Sequence, residues 1–394
     1  MLYPRVITER VNRLAQLYPV LGITGPRQSG KTTLAKFLFP NLPYVSLENL
    51  DIRLEATEDP RAFLAKYVNG AIFDEVQNTP DLLSYLQQIV DDDPRKGRYV
   101  ITGSQNFALS AHIAQSLSGR IGMLTLLPLS LKELNWRDVS SKEEIHKAIY
   151  AGGYPRLHHD KMQPSEFYSG YIQTYIERDV RQLKNIGDLG SFGKFLKLCA
   201  GRIGQVVNFS SLALDAGISN TTAKQWLTVL EASYIIFPLQ SYYKNFSKRL
   251  IKMPKLYFYD TGLACSLLGI GSSEQLDSHY LKGGLFENLM ILEVLKGRMN
   301  KGLPGDIYFW RDQTGHEIDL ICAWGGVIHA VEIKSGATLQ SDYTKNIDYF
   351  IELSKKVPEE PVRGYLLYSG AQAGMFRGVE LLPIQKIDRL FDEK

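Results

Sequence analysis

Apolar and polar positions alternate along this chain in a way that predicts two α/β regions with a helical stretch between them. Residues 4–18 carry an apolar stripe at helical spacing and lead into the short apolar run Val20–Ile23, which reads as a buried strand. Lys31–Phe39 reads as a helix stopped by Pro40. Short apolar runs at Tyr44–Leu47, Ala71–Phe73, Tyr99–Thr102 and Ile121–Leu127 predict further strands, separated by helical stretches at 50–57, 61–67, 81–90 and 109–118. Gly152-Gly153-Tyr154-Pro155 interrupts the pattern and predicts a boundary. Beyond it the periodicity is helical, over Pro164–Leu183, 191–202, a segment capped by Ser210, and Asn220–Ala232. Strands at Tyr234–Leu239 and Leu256–Tyr259 would complete a winged helix. The last third reads as an apolar helix from Gly284 to Leu295 and strands Ile307–Arg311, Glu317–Ile321 and Val327–Lys334. A helix at 342–355 and a strand at Gly364–Tyr368 follow.

The turn between the first strand and its helix is Gly25-Pro26-Arg27-Gln28-Ser29-Gly30-Lys31-Thr32-Thr33, a match to G-x-x-x-x-G-K-[ST] in the strand–loop–helix context that a phosphate-binding loop requires. Its glycines let successive N–H groups point inward at phosphate oxygens, and the following helix adds its positive end. Lys31 would reach the β- and γ-phosphates of ATP, and the Thr32 hydroxyl would hold Mg²⁺. Ala71-Ile72-Phe73-Asp74-Glu75 is an apolar strand ending in two acids, the pattern of a Walker B strand. Asp74 would bind Mg²⁺ through its water shell, and Glu75 would orient the attacking water. Ser104, with Gln105 and Asn106 behind it, ends another strand and is a candidate contact to the γ-phosphate or the water. Arg120 follows a predicted helix. It is either a finger onto a neighbour's γ-phosphate, which would need a homo-oligomer, or a solvated loop cation. The strand lying between the loop strand and the Asp-Glu strand, and the adjoining glutamate, predict the additional-strand class. The absence of N-K-x-D argues against guanine.

In the last third, side chains two apart share a strand face. Glu332 and Lys334 therefore face one way, as do Glu317 and Asp319. If the strands are neighbours, Asp319, Glu332 and Lys334 converge. Two carboxylates can hold Mg²⁺ for an in-line phosphate displacement, with Lys334 positioning water and Glu287 reaching in from the helix as a further metal or water partner. This Asp…Glu-x-Lys pattern is that of restriction-endonuclease-like nucleases; a strand carrying a salt bridge gives the same letters.

Composition alters little. The 394 residues allow two or three domains, and 45 basic against 42 acidic residues leave a net charge of +3, so any pull toward nucleic acid must be local. One local signal exists. No acid occurs between Glu231 and Asp260, while Lys244, Lys248, Arg249, Lys252 and Lys255 interleave with aromatics, which suits DNA contact through residues 242–255 as well as a solvated hairpin. Three well-separated cysteines support neither a disulfide framework nor a zinc knuckle and fit a cytoplasmic protein. No run approaches the length of a membrane-spanning helix.

Taken together, G-P-R-Q-S-G-K-T-T, I-F-D-E, I-T-G-S, L-S-G-R, E-R-D, D-T-G-L, F-E-N, W-R…E-I-D and V-E-I-K-S-G resemble, in order and over nearly the whole chain, the bacterial and archaeal AAA-like P-loop ATPases that carry a C-terminal domain of unknown function. The resemblance implies ATP binding by Lys31, Thr32, Asp74 and Glu75, and a nuclease-like C-terminal fold using Glu287, Asp319, Glu332 and Lys334. The expected architecture is α/β. A parallel-sheet P-loop ATPase domain (1–155) precedes a winged-helix-like α+β domain (156–262) and a restriction-endonuclease-like α/β domain (263–394). The expected function is ATP binding and Mg-dependent hydrolysis that controls the last domain, with an ATP-gated regulatory binding module as the alternative.

Overall fold

The computed structural model describes residues 3–104, 116–136, 139, 141–180, 188–242, 253–355 and 361–391. The chain forms two units. One comprises the chain up to Leu129 with the returning segments Ala232–Ile235 and Met299–Gly302; the other comprises the remainder. The units part at Leu129 and Ser130, so Gly152 and Gly153, where a boundary was expected, fall inside the second unit. There the Gly153 N–H donates to Asp260 (2.7 Å), and a Cβ on Gly152 would lie 2.2 Å from the Tyr168 hydroxyl. The break in the periodic pattern is thus a close backbone approach.

The first unit is built on a five-stranded sheet. Its strands are β1 (Val20–Thr24), β2 (Tyr44–Ser46), β3 (Ala71–Asp74), β4 (Tyr99–Gly103) and β5 (Ile121–Thr125), in the order β2-β3-β4-β1-β5. Every pairing is parallel, with Val20 opposite Tyr99 on one side and Ile121 on the other. Parallel strands are covered on both faces, which is why β1, β3 and β4 are buried without alternation. One face packs Leu21, Ile23, Ile72 and Val100 against Val11, Leu34 and Ala35; the other packs Val20, Phe73 and Ile101 against Leu83 and Leu86. Placing β4 between β1 and β3 sets the carboxyl ends of the loop strand and the Asp-Glu strand one strand apart.

The second unit carries helices Lys142–Ala151, Leu189–Ala200, Phe209–Ala216 and Asn220–Ala232 and a mixed eight-stranded sheet. Asn208, not Ser210, caps the Phe209 helix, through Ser211 N–H (3.0 Å). The sheet contains β6 (Ile236–Ser241), β7 (Lys255–Phe258), β8 (Ile307–Arg311), β9 (Glu317–Trp324), β10 (Val327–Lys334), β11 (Val362–Tyr368), β12 (Gly374–Phe376) and β13 (Val379–Pro383). Their order is β12-β13-β11-β10-β9-β8-β6-β7. Here the sequence expectation needs correcting. β6 and β7 pair with each other, but β6 also runs parallel to β8 with Gln240 opposite Tyr308, so the hairpin extends this sheet instead of closing a separate wing. The free edge of β8 offers backbone partners to β6, and an edge that can be paired is paired. The helix Lys282–Lys301 is buried almost all round, as its nearly continuous apolar run requires. Among the described residues no helix is long and apolar enough to cross a membrane.

Candidate functional site

At the end of β1 the chain turns sharply. Gly25 has φ 143°, and a Cβ there would sit 2.2 Å from the Leu126 carbonyl oxygen. Gly30, at φ 95°, starts the helix Lys31–Leu38, and Gln28 is also left-handed at φ 62°. Arg5 braces the loop from outside, donating to the carbonyls of Ser29 (2.8 Å) and Leu127 (2.6 Å). Arg27 turns outward onto Glu48 (2.8 Å). Pro26 closes a turn through its carbonyl, which accepts from the Ser29 N–H (3.3 Å). The Ser29 hydroxyl is buried without a hydrogen-bond partner among the described residues. Lys31 is buried, and its ammonium donates to the carbonyls of Gly25 (3.0 Å) and Pro26 (2.9 Å). Burial lowers its pKa, against the pull of Glu75 and Asp74. Thr33 continues the helix behind Thr32.

The Asp74 carboxylate accepts from Thr32 Oγ1 (2.9 and 3.0 Å), from the Tyr44 hydroxyl (2.8 Å) and from Thr102 Oγ1. Glu75 takes a left-handed turn, φ 57°, directly after the strand. Its N–H donates to Thr102 Oγ1 (3.2 Å), and its carboxylate accepts from Ser104 Oγ (2.8 Å) and from Gln77. Ser104 is thus brought to Glu75. Tyr44 and Thr102 were not among the expected residues, although Thr102 lies two before Ser104 on the same strand face, a signal that could have found it. Gln105 and Asn106 lie outside the described residues. Arg120 pairs with Asp91 through two hydrogen bonds, one of them 2.8 Å.

In the second unit, β9 and β10 are antiparallel neighbours. Lys334 Nζ lies 2.6 Å from Glu332 and 3.5 Å from Asp319, so these three residues meet. Asp319 Oδ2 also accepts from the Ile333 N–H (2.8 Å), and Glu332 Oε1 accepts from Asn346 (3.2 Å). Burial is the largest influence on both acids. It raises the Glu332 pKa to about 8, with Asp319 adding to the rise, whereas in Asp319 the charges of Lys334 and Lys255 overcome burial and draw the pKa below the usual range. Glu287 points elsewhere. Its Oε1 accepts from Lys255 (3.0 Å) and from the Tyr257 hydroxyl. Among the described residues no three His, Cys, Asp or Glu side chains gather as a ready metal set.

Lys255 was expected to face nucleic acid from the segment 242–255. It is instead buried, at 2% exposure, and ion-paired, so it is not available to solvent-borne phosphate. Residues 243–252 of that segment lie outside the described residues, as do the side chains of Glu177, Arg178 and Asp179.

A parallel sheet in this order with a glycine loop at the end of the interior strand β1 defines an AAA-type P-loop ATPase domain, and a family model described as an AAA domain matches residues 17–135. Two further models, each described as a domain of unknown function (DUF8612 and DUF4143), match residues 142–274 and 282–387. The chain is 30% identical over 332 residues to uncharacterised proteins of Mycobacterium tuberculosis and Mycobacterium bovis, across 84% of this chain and 73% of each of theirs, and it belongs to their family. An uncharacterised protein of Haemophilus influenzae is 24% identical over 270 residues, 66% of this chain and 64% of that one. A solved Walker-type ATPase of Pyrococcus abyssi is similar at 15% identity and a TM-score of 0.47, over 68% of this chain and 96% of that chain.

Proposed function

We propose that the chain binds and hydrolyses ATP with Mg²⁺, and that its nucleotide state controls a nuclease-like, nucleic-acid-interacting C-terminal domain. The observation that carries the first part is the loop itself. A buried lysine donates to two loop carbonyls, a buried serine hydroxyl in the same turn has no hydrogen-bond partner among the described residues, and a threonine hydroxyl sits on the strand-end aspartate. Thr32 and Asp74 form an all-oxygen set of the hard kind that Mg²⁺ takes, so the residues fit the ion. Bound there, Mg²⁺ would neutralise charge on the phosphate oxygens. The protein's own groups do the rest. Lys31 exchanges two carbonyl acceptors for phosphate oxygens. The loop N–H groups take the remaining oxygens. Glu75, oriented by Ser104 and Gln77, aligns the attacking water. Lys31→Ala should abolish phosphate release; unchanged turnover rejects the site.

The second part rests on the meeting of Asp319, Glu332 and Lys334. Two adjacent carboxylates aimed at one point fit a divalent ion, which would supply a nucleophilic hydroxide and steady the phosphate. Glu287, turned onto Lys255, does not join that pair. The unit that holds the glycine loop then acts as the ATPase part, and the sheet that carries Asp319, Glu332 and Lys334 as the restriction-endonuclease-like part. Tyr234 offers a coupling route. It sits in the returning segment just before β6, and its hydroxyl donates to Thr24 (3.1 Å), the residue before the loop. One observation favours the alternative of a regulatory module that binds without cutting, namely that lysines already neutralise these acids. Plasmid incubated with Mg²⁺ or Mn²⁺, with and without ATP, separates the two. Nicking lost in Lys334→Ala supports the nuclease, and a gel shift without nicking supports the module.

A further inference from the structure

The C-terminal acids divide into an outer and an inner group, and Asp319 belongs to both. Its Oδ2 faces Lys334 and the Ile333 N–H; its Oδ1 faces Lys255 at 3.8 Å. The inner group is Glu287, Glu317 and Asp319 around Lys255 Nζ, with Glu287 at 3.0 Å and Glu317 in direct contact. An ammonium has three N–H donors and no acceptor, and here it lies against Glu287 and Glu317, with Asp319 one step further out at ion-pair range. Lys255 is fixed from several sides. It begins β7 opposite Leu239, bridges to Val206, and lies 5.8 Å from the Phe309 ring centroid.

The two lysines differ in freedom. The Lys255 side chain is 3% exposed, whereas that of Lys334 is 30% exposed. A divalent ion arriving at the outer pair can push Lys334 toward solvent. One arriving at the inner group would strand an ammonium in the interior, where an unpaired charge is strongly disfavoured. Lys255 also comes from outside the region that holds the acids: it lies within residues 142–274, while the carboxylates lie within 282–387.

We propose that Lys255 is the resident cation of this centre, filling the ground between Glu287, Glu317 and Asp319 that a second divalent ion would otherwise take, and confining metal to the Asp319–Glu332 edge. Lys255 is then a positioning residue, setting the orientation of Asp319 and limiting the centre to one ion. This rests on the nuclease-like reading for the outer edge, but the inner half is testable without it.

The test is Mn²⁺ titration by calorimetry, without nucleotide, on chain carrying Asp74→Asn so that the amino-terminal acid does not contribute. Wild-type C-terminal residues should bind one ion, lost in Glu332→Gln. Lys255→Met should gain a second ion, lost again on adding Glu287→Gln, while Lys255→Arg should show no gain. Circular dichroism checks that each variant is folded. If Lys255→Met does not fold, the stoichiometry of the parent chain still decides, since two ions, one of them lost with Glu287→Gln, would overturn the proposal. A folded Lys255→Met chain without the extra ion would overturn it too. No ion in the parent but one in Lys255→Met would uphold Lys255 as the resident cation and remove the nuclease reading. The same ion counts without plasmid nicking would sink only that reading.

Discussion

The two acid pairs of this chain are built from the same side chains and kept in opposite ways. Asp74 and Glu75 are held by hydroxyls, a phenol and an amide, namely Thr32, Tyr44 and Thr102 on one and Ser104 and Gln77 on the other. These donors orient a carboxylate without cancelling its charge. Asp319 and Glu332 are held by Lys334, with Lys255 behind them. Ammoniums orient and neutralise together. The first pair carries no direct ion pair among the described contacts, whereas the second would have to exchange Lys334 for an incoming ion. The donor type, more than the acids, separates a centre poised for metal from one that is internally balanced.

That difference has measurable consequences. The largest is at Lys255. Lys255→Met removes a buried cation from Asp319, which is buried, and from Glu287 and Glu317, which are partly buried, and should lower stability by about 3–5 kcal/mol in urea unfolding. Adding Glu287→Gln should restore part of the loss, because the two residues share one interaction. If the single and double variants lose stability additively, the balance at the C-terminal centre is not set by this pair.

The pH dependence comes next. Burial pushes Glu332 up to about 8, with Asp319 adding and Lys334 and Asn346 opposing. It pushes Glu287 up to about 7, with Asp319 adding and Lys255 and Tyr257 opposing. A carboxyl with a raised folded pKa binds more protons folded than unfolded, so its contribution is complete in acid and is lost as pH rises through the folded value. In EDTA, stability should therefore decline between about pH 5 and 8, and Glu332→Gln should flatten the upper part of that decline. A profile that rises across this window would contradict the buried, proton-holding state of these acids.

Much of the first unit could be read from sequence because its information is local. The loop, its strand and its helix are contiguous, and Asp74 and Glu75 follow their strand directly, so no long-range contact was needed to place them. Asp319, Glu332 and Lys334 could also be read, since strand alternation and one assumption of neighbouring strands bring them together. Lys255 could not. It lies more than sixty residues before Asp319 in the chain, inside a basic, aromatic run whose composition points to solvent. The pairing of β7 with β6 and of β6 with β8, which nothing in the local pattern encodes, draws it into the acid cluster. The same pairing turned an expected wing into part of the large sheet. Strands β12 and β13 went unread because their apolar runs are short, three residues opening on a glycine in one and a run interrupted by Glu380 in the other.

A smaller effect tests the amino-terminal side of the comparison. Tyr44→Phe removes one donor from Asp74 while leaving Thr32 and Thr102, and Tyr44 is partly exposed. Thermal unfolding should show a loss of about 1 kcal/mol. The affinity for Mg²⁺–ATP should change little, because the remaining hydroxyls still orient the carboxylate. A loss of ATP binding comparable to that of Lys31→Ala would make Tyr44 a ligand-binding residue in its own right.

The smallest expected effect is at Arg120. Its guanidinium is engaged by Asp91 of the same chain at the surface, and surface pairs of this kind are screened by salt and add little to stability. Arg120→Ala should leave the melting temperature unchanged within error. ATP turnover per chain should also stay the same at every protein concentration. A finger acting on a neighbour predicts otherwise: turnover per chain that rises with concentration in the parent and is flat and low in the variant. If that pattern appears, the bond to Asp91 is a resting contact that assembly breaks. Asp91→Asn should then raise turnover at low concentration by releasing the arginine early.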